Sequence, residues 1–226
     1  MNVLIACEES QRVCIEFRKL GADAFSCDIL PESGGHPEWH IQQDVLPLLN
    51  GNCKFITNDG TRHTINAKWD IIIAFPPCTY LTTAGAVRLY DREHNIKDDE
   101  RFKKGVSAAT LFNIILNSNC DKICVENPVP MKIFNLPKYN QIIQPYFFGE
   151  PYQKRTCLWL KNIPALIPTN IVRPVGYWIG AHGHGKAKHG MSKGFRDPKI
   201  RNKTFLGVAE AMANQWYKYI KENEQC

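Results

Sequence analysis

Two short stretches of this chain carry side chains able to do chemistry. Cys78 follows Pro76-Pro77, and consecutive prolines fix the backbone, so the thiol is held rigidly. A cysteine at such a place is a nucleophile when its pKa is lowered, and a small buried apolar residue otherwise. Glu126 opens the sequence Glu126-Asn127-Pro128. Its carboxyl group either supplies general acid chemistry beside the thiol or caps a short helix near residues 130–134. Asp28, at the end of an apolar run, is placed to hydrogen-bond the hydroxyls of a ribose, or to cap the turn toward Pro31.

The elements that must position these groups follow from the spacing of apolar residues. Short apolar runs alternate with helical patterns over the first two-thirds of the chain, the signature of a parallel α/β sheet. Strands are expected at residues 2–6, 24–27, 41–45, 70–75, 122–126, 142–147 and 156–160. Val13, Phe17 and Leu20 mark a helix ended by Gly21. A second helix is expected over residues 106–116, and a closing one over 204–221. The run 70–75 is the most apolar and is expected to be central and buried on both faces. Asn58-Asp59-Gly60 signals a hairpin turn within an insertion at residues 53–66. The pattern describes one doubly wound domain, whose sites lie at the carboxyl ends of its strands. Read in order, those ends are Cys7-Glu8-Glu9-Ser10, Asp28, Asp44, Phe75-Pro76-Pro77-Cys78 and Glu126-Asn127.

Composition narrows the class. In 226 residues, 44% are hydrophobic and 22% charged, which excludes disordered and fibrous chains. The longest apolar stretches fall well short of a membrane span, and the first residues lack the basic segment of a signal peptide. A cytoplasmic, reducing location is therefore expected, with nine unpaired cysteines. Their spacing includes no Cys-x-x-Cys pair, so no metal site is expected. His182, His184 and His189, spaced by glycines, suit a polar loop better than a metal site, having no carboxylate nearby. Between Lys186 and Lys203 seven cations face Asp197 alone, which accounts for the whole net charge of +6. Such a run is either a solvated loop or the footprint of a polyanionic partner.

Together these residues resemble the DNA cytosine-C5 methyltransferase family, and the wording around residues 148–160 resembles its short, phage-encoded members. The family's Pro-Pro-Cys stands here as Pro76-Pro77-Cys78, and its Glu-Asn-Val as Glu126-Asn127-Pro128. Its Gln-x-Arg-x-Arg motif resembles Gln153-Lys154-Arg155-Thr156-Cys157, without the second arginine. Its closing Gly-Asn motif resembles Arg201-Asn202-Lys203-Thr204, without the glycine. Its first glycine-rich turn is replaced by Ala6-Cys7-Glu8-Glu9-Ser10. The resemblance implies a Rossmann-like class I fold that uses S-adenosylmethionine, a cofactor with no pyrophosphate to cradle.

The same resemblance implies roles. Cys78 would add to C6 of cytosine, Glu126 would protonate ring N3, Asn127 would orient the site, and Arg155 would hold the base or its phosphate. Cofactor contacts fall on Ala6, Cys7, Glu8, Asp28, Asp44, Phe75, Pro76 and Asn202, with Asp28 on the ribose and Asp44 on the adenine. Residues 79–104 would form a mobile loop over the base. Residues 163–201 are too few for a separate recognition domain. Tyr177 with Lys186, Lys188, Lys193, Arg196 and Lys199 would instead track a nucleic-acid backbone. DNA is the expected partner. RNA or a free cytosine nucleotide fits a reduced recognition segment equally, and a non-catalytic nucleic-acid-binding relative is the alternative from another class. No feature of the sequence sets an oligomeric state.

Overall fold

Residues 1–174 and 202–223 are described in a computed structural model of the chain. The elements run β1 (Asn2–Ala6), α1 (Arg12–Lys19), β2 (Asp23–Asp28), β3 (His40–Gln42), β4 (Cys53–Ile56), β5 (Arg62–Ile65), β6 (Ile71–Ala74), α2 (Ala86–Leu89), α3 (Asp99–Leu116), β7 (Ile123–Asn127), β8 (Gln141–Ile143), β9 (Thr156–Lys161) and α4 (Leu206–Asn223). Seven strands form one sheet in the order β3-β2-β1-β6-β7-β9-β8. The first five are parallel, and β9 runs antiparallel to both its neighbours. This is the mostly parallel, doubly wound α/β sheet of the Rossmann-like class expected from the sequence. The chain reverses direction between β3 and β6 on either side of β1, so the switch point of the sheet lies at the carboxyl ends of β1 and β6.

Burial explains the central strands. β6 reads Ile-Ile-Ile-Ala and every residue is fully buried, because helices or the inserted hairpin cover both faces. One face packs α1 and α4 through Val13, Phe17, Met212 and Trp216 against Val3, Ile5 and Ile73. The other packs α3 and the hairpin through Phe112, Ile115, Phe55 and Ile65 against Leu4, Ile72 and Val125. In the hairpin β4–β5, Asp59 accepts bonds from Thr57 Oγ1 (2.6 Å), Thr61 N (3.1 Å) and Thr61 Oγ1 (2.6 Å). Those bonds pull its carboxyl down to about 2.

The structure moves several expected boundaries. Helix α3 starts at Asp99, well before residue 106, because the Asp98 side chain accepts the Arg101 amide at 2.8 Å. The strand expected to reach Phe147 stops at Ile143, since Pro145 has no amide to give a ladder. Residues 79–104 are folded rather than a free loop. They contain α2, a Tyr90–Ile96 bridge and the start of α3. No described helix is long and apolar enough to cross a membrane.

Helix α4 begins where the backbone of another segment touches it. The Glu150 carboxylate accepts the Gly207 amide at 3.2 Å, and a Cβ on Gly207 would collide with the Phe148 carbonyl. Gly207→Ala should therefore lower stability by roughly 1–3 kcal/mol, although alanine favours helix. Glu210→Ala, at an exposed position of the same helix, should change it little. Urea midpoints of the two variants check this.

Candidate active site

The pairing of β6 with β7 brings the segments that carry Cys78 and Glu126 to the same end of the sheet. The strands are parallel with Ala74 opposite Val125, so Phe75-Pro76-Pro77-Cys78 and Glu126-Asn127 leave the sheet side by side. Asn127 is fully buried, and its Nδ2 donates to the Pro76 carbonyl at 3.1 Å. Its Oδ1 is buried with no hydrogen-bond partner among the described residues. A second tie follows: Thr83 N donates to Val129 O (3.0 Å), and Met131 N to Leu81 O (2.7 Å). The Cys78 carbonyl accepts from Leu81 N (3.1 Å) and Thr82 N (3.2 Å), which turns the chain directly after the half-buried thiol.

A cleft opens beside Glu126, lined among others by Phe75, Glu126, Lys154, Asn202, Phe205 and Met212. Two apolar walls thus face a carboxyl group and an ammonium. Loss of hydration raises the Glu126 carboxyl above the usual range, and the Lys154 ammonium pulls it back. Arg155 is exposed, and its charge is felt at Cys157. Sequence reasoning passed over Lys154, although a signal was present. Alternate side chains of an extended segment face the same way, and Lys154 and Thr156 both line the cleft.

The cofactor residues expected from the sequence divide into two groups. Phe75 and Asn202 line the cleft, and Pro76, next in the chain to Phe75, is buried. Ala6 is buried, and its carbonyl accepts the Phe75 amide at 2.9 Å. Cys7 adopts a left-handed conformation (φ 58°), doing without glycine the sharp turn that ends β1. Burial, then the charges of Asp28 and Asp44, push its thiol up to about 12, which places all three at one edge of the sheet. Asp28 accepts the Leu30 amide at 2.9 Å, and Asp44 the Leu46 amide at 2.9 Å, so both also cap their turns. Next to Asp28, Ile29 and Leu30 are 74% and 56% exposed. An apolar surface beside a carboxylate suits a ribose carrying a flat base, so this edge fits the adenosine part of S-adenosylmethionine.

Glu8 is occupied differently from the cofactor contact expected of it. Its carboxylate is turned inward onto the start of α1, accepting from Val13 N (2.8 Å) and Cys14 N (3.3 Å). Burial outweighs these bonds and raises it to about 8. Tyr177, Lys186, Lys188, Lys193, Arg196 and Lys199 lie outside the described residues, as do the three histidines. No cluster of metal-ligating side chains occurs among the described residues.

No family model and no curated protein matches the chain. Among solved structures it is similar to a putative DNA modification methyltransferase encoded within an E. coli prophage, at 16% identity and a TM-score of 0.42. It is also similar to Entamoeba histolytica methyltransferase EhMeth (12%, 0.40) and to a variant of Spodoptera frugiperda DNMT2 (15%, 0.39). These matches cover 76–78% of this chain and 52–58% of those structures.

Two expectations follow from the geometry. Asn127→Ala should cost roughly 1–3 kcal/mol of stability, the penalty for a buried carbonyl left unpaired, as read from the urea midpoint. Between about pH 4.5 and 8 folded Glu8 holds a proton that the unfolded chain releases, so stability falls as pH rises through that interval. Glu8→Gln should show a smaller fall between pH 5 and pH 8 in the same measurement.

Proposed function

We propose that this chain transfers a methyl group from S-adenosylmethionine to C5 of cytosine in DNA, through a covalent adduct on Cys78. The observation that carries this reading is that adjacent strand ends, tied together by Asn127, carry Cys78 on one and Glu126 on the other, with Glu126 opening on a largely apolar cleft. Carbon 5 of cytosine is a weak nucleophile. Addition of the Cys78 thiolate to C6 turns it into an enamine carbon, and Glu126 gives its proton to N3 as the adduct forms. The cofactor, when bound, supplies the methyl group as an electrophilic sulfonium substituent. Afterwards N3 returns its proton to the Glu126 carboxylate, a water molecule acting as base takes the C5 proton, and the thiolate is expelled, restoring the aromatic ring.

Asn127 acts on the geometry of this pair. Arg155, exposed beside the cleft, binds the phosphate of a nucleotide turned out of its stack. Asp28, Asp44, Ile29 and Leu30 hold the adenosine, with Phe75 and Asn202 toward the methionine end. The cationic run between Lys186 and Lys203 supports a nucleic-acid substrate.

DNA containing 5-fluorocytosine should trap the protein as a denaturation-resistant adduct, because fluorine at C5 blocks the final proton loss. Cys78→Ala should form no adduct and no 5-methylcytosine, yet still bind S-adenosylmethionine in a calorimetric titration. A Cys78→Ala protein that still methylates would overturn the reading and point to an exocyclic nitrogen. Nucleoside mass spectrometry of the treated DNA distinguishes these products.

A further inference from the structure

We propose that Lys154, rather than Arg155, is the cation of the reaction cleft, its ammonium pairing with the Glu126 carboxylate once that group has given up its proton. The inference rests on the reading of the cleft as a cytosine-methylating site, and it assigns a residue that this reading leaves idle.

Three observations converge on Lys154. It lines the same cleft as Glu126, whereas Arg155 is exposed. The position where the resembling motif has its second arginine is Cys157, which is fully buried in β9. A cysteine side chain carries no positive charge in either protonation state, so it cannot replace that cation. Finally, Lys154 Nζ lies 5.8 Å from the centre of the Phe205 ring, a second wall of the cleft, which in turn packs on Tyr152 at 5.6 Å. A cation–π contact holds the ammonium at the cleft instead of letting it swing into solvent.

Besides the Cys78 thiol on the adjacent strand end, the groups around Glu126 include two further thiols and an ammonium. Cys124 lies on its own strand and Cys157 on β9, both thiols raised by burial and therefore neutral. Lys154 is a cation acting on Glu126. The chemistry follows from charge balance. When the Cys78 thiolate adds to C6, electrons move onto N3 and the Glu126 proton follows them, leaving a carboxylate in a poorly hydrated cleft. An adjacent ammonium offsets that charge, so Glu126 releases the proton more readily than burial alone would allow. Lys154 is thus a positioning and charge-balancing residue, acting through Glu126.

The test uses the whole chain with Lys154→Met, Lys154→Gln, Lys154→Arg and Arg155→Met. One readout is the carboxyl titration of Glu126 by NMR in carbon-13-glutamate-labelled protein, assigned by its loss in Glu126→Gln. The other is the pH dependence of adduct formation with 5-fluorocytosine DNA. Lys154→Met and Lys154→Gln should move the Glu126 titration to higher pH and slow adduct formation about tenfold or more. Lys154→Arg should restore both, and Arg155→Met should leave the titration in place. A Glu126 titration that ignores Lys154, or that follows Arg155 equally, overturns the proposal. If the wild type forms no adduct but the titration still follows Lys154, the cytosine reading falls and the ion pair stands.

Discussion

The hydrogen bond from Asn127 to the Pro76 carbonyl is the contact on which the site depends. Parallel pairing brings the ends of β6 and β7 within reach of each other, but pairing stops at the last ladder bond. Beyond it, the chain would be free to diverge. A buried amide spanning the two ends costs a full desolvation penalty if broken, so the ends stay together. The prolines then carry that constraint forward to Cys78, and the Leu81–Met131 and Thr83–Val129 bonds close it from the far side. Under the proposed mechanism, groups on strand ends held this way need not find their geometry at each turnover.

Neighbouring strand ends are tied by the same device in backbone form. Phe75 N donates to the Ala6 carbonyl at 2.9 Å, and Glu8 N to the Cys27 carbonyl at 3.2 Å. The consequence at β1 is a turn built without glycine. Cys7 and Gln11 both take left-handed conformations, and the Glu8 carboxylate fills the start of α1. A helix start filled by its own carboxylate no longer offers free amides to a phosphate. That suits a cofactor with a ribose and an amino acid in place of a pyrophosphate. Burial also dominates the electrostatics at these strand ends: Glu8, Asp28 and Glu126 are each raised by their own loss of hydration.

The division of labour around β9 follows from a period of two. Lys154 and Thr156 reach the cleft, Leu158 packs with α1 and α4, and Cys157 and Trp159 pack toward α3. One strand thereby supplies both core layers and a charged wall. The Lys154 ammonium lies over the aromatic face of Phe205, which is brought in just before α4. Residues far apart in the chain meet there, and the approach of α4 to Phe148 at Gly207 sets how close they come.

Much of this was legible in the order of residues. The all-apolar run of β6, the helical stripe of α1 and the turn at Asn58-Asp59-Gly60 have local causes: burial on both faces, a 3.6-residue period and turn chemistry. The strand-end location of Cys78 and Glu126 follows from the same alternation. Boundaries set by one capping bond or one missing amide were misjudged, as at Asp98 and Pro145, because such signals are a single residue long. What only the tertiary structure decided is which groups face one another. No local pattern states that Asn127 bonds Pro76 or that Glu8 turns inward to α1. Nor does any motif say that Lys154 lines the cleft with Glu126 while Arg155 is exposed. Each of these depends on where a distant segment packs, and a side chain's hydration, charge and partners are settled only when that packing is complete.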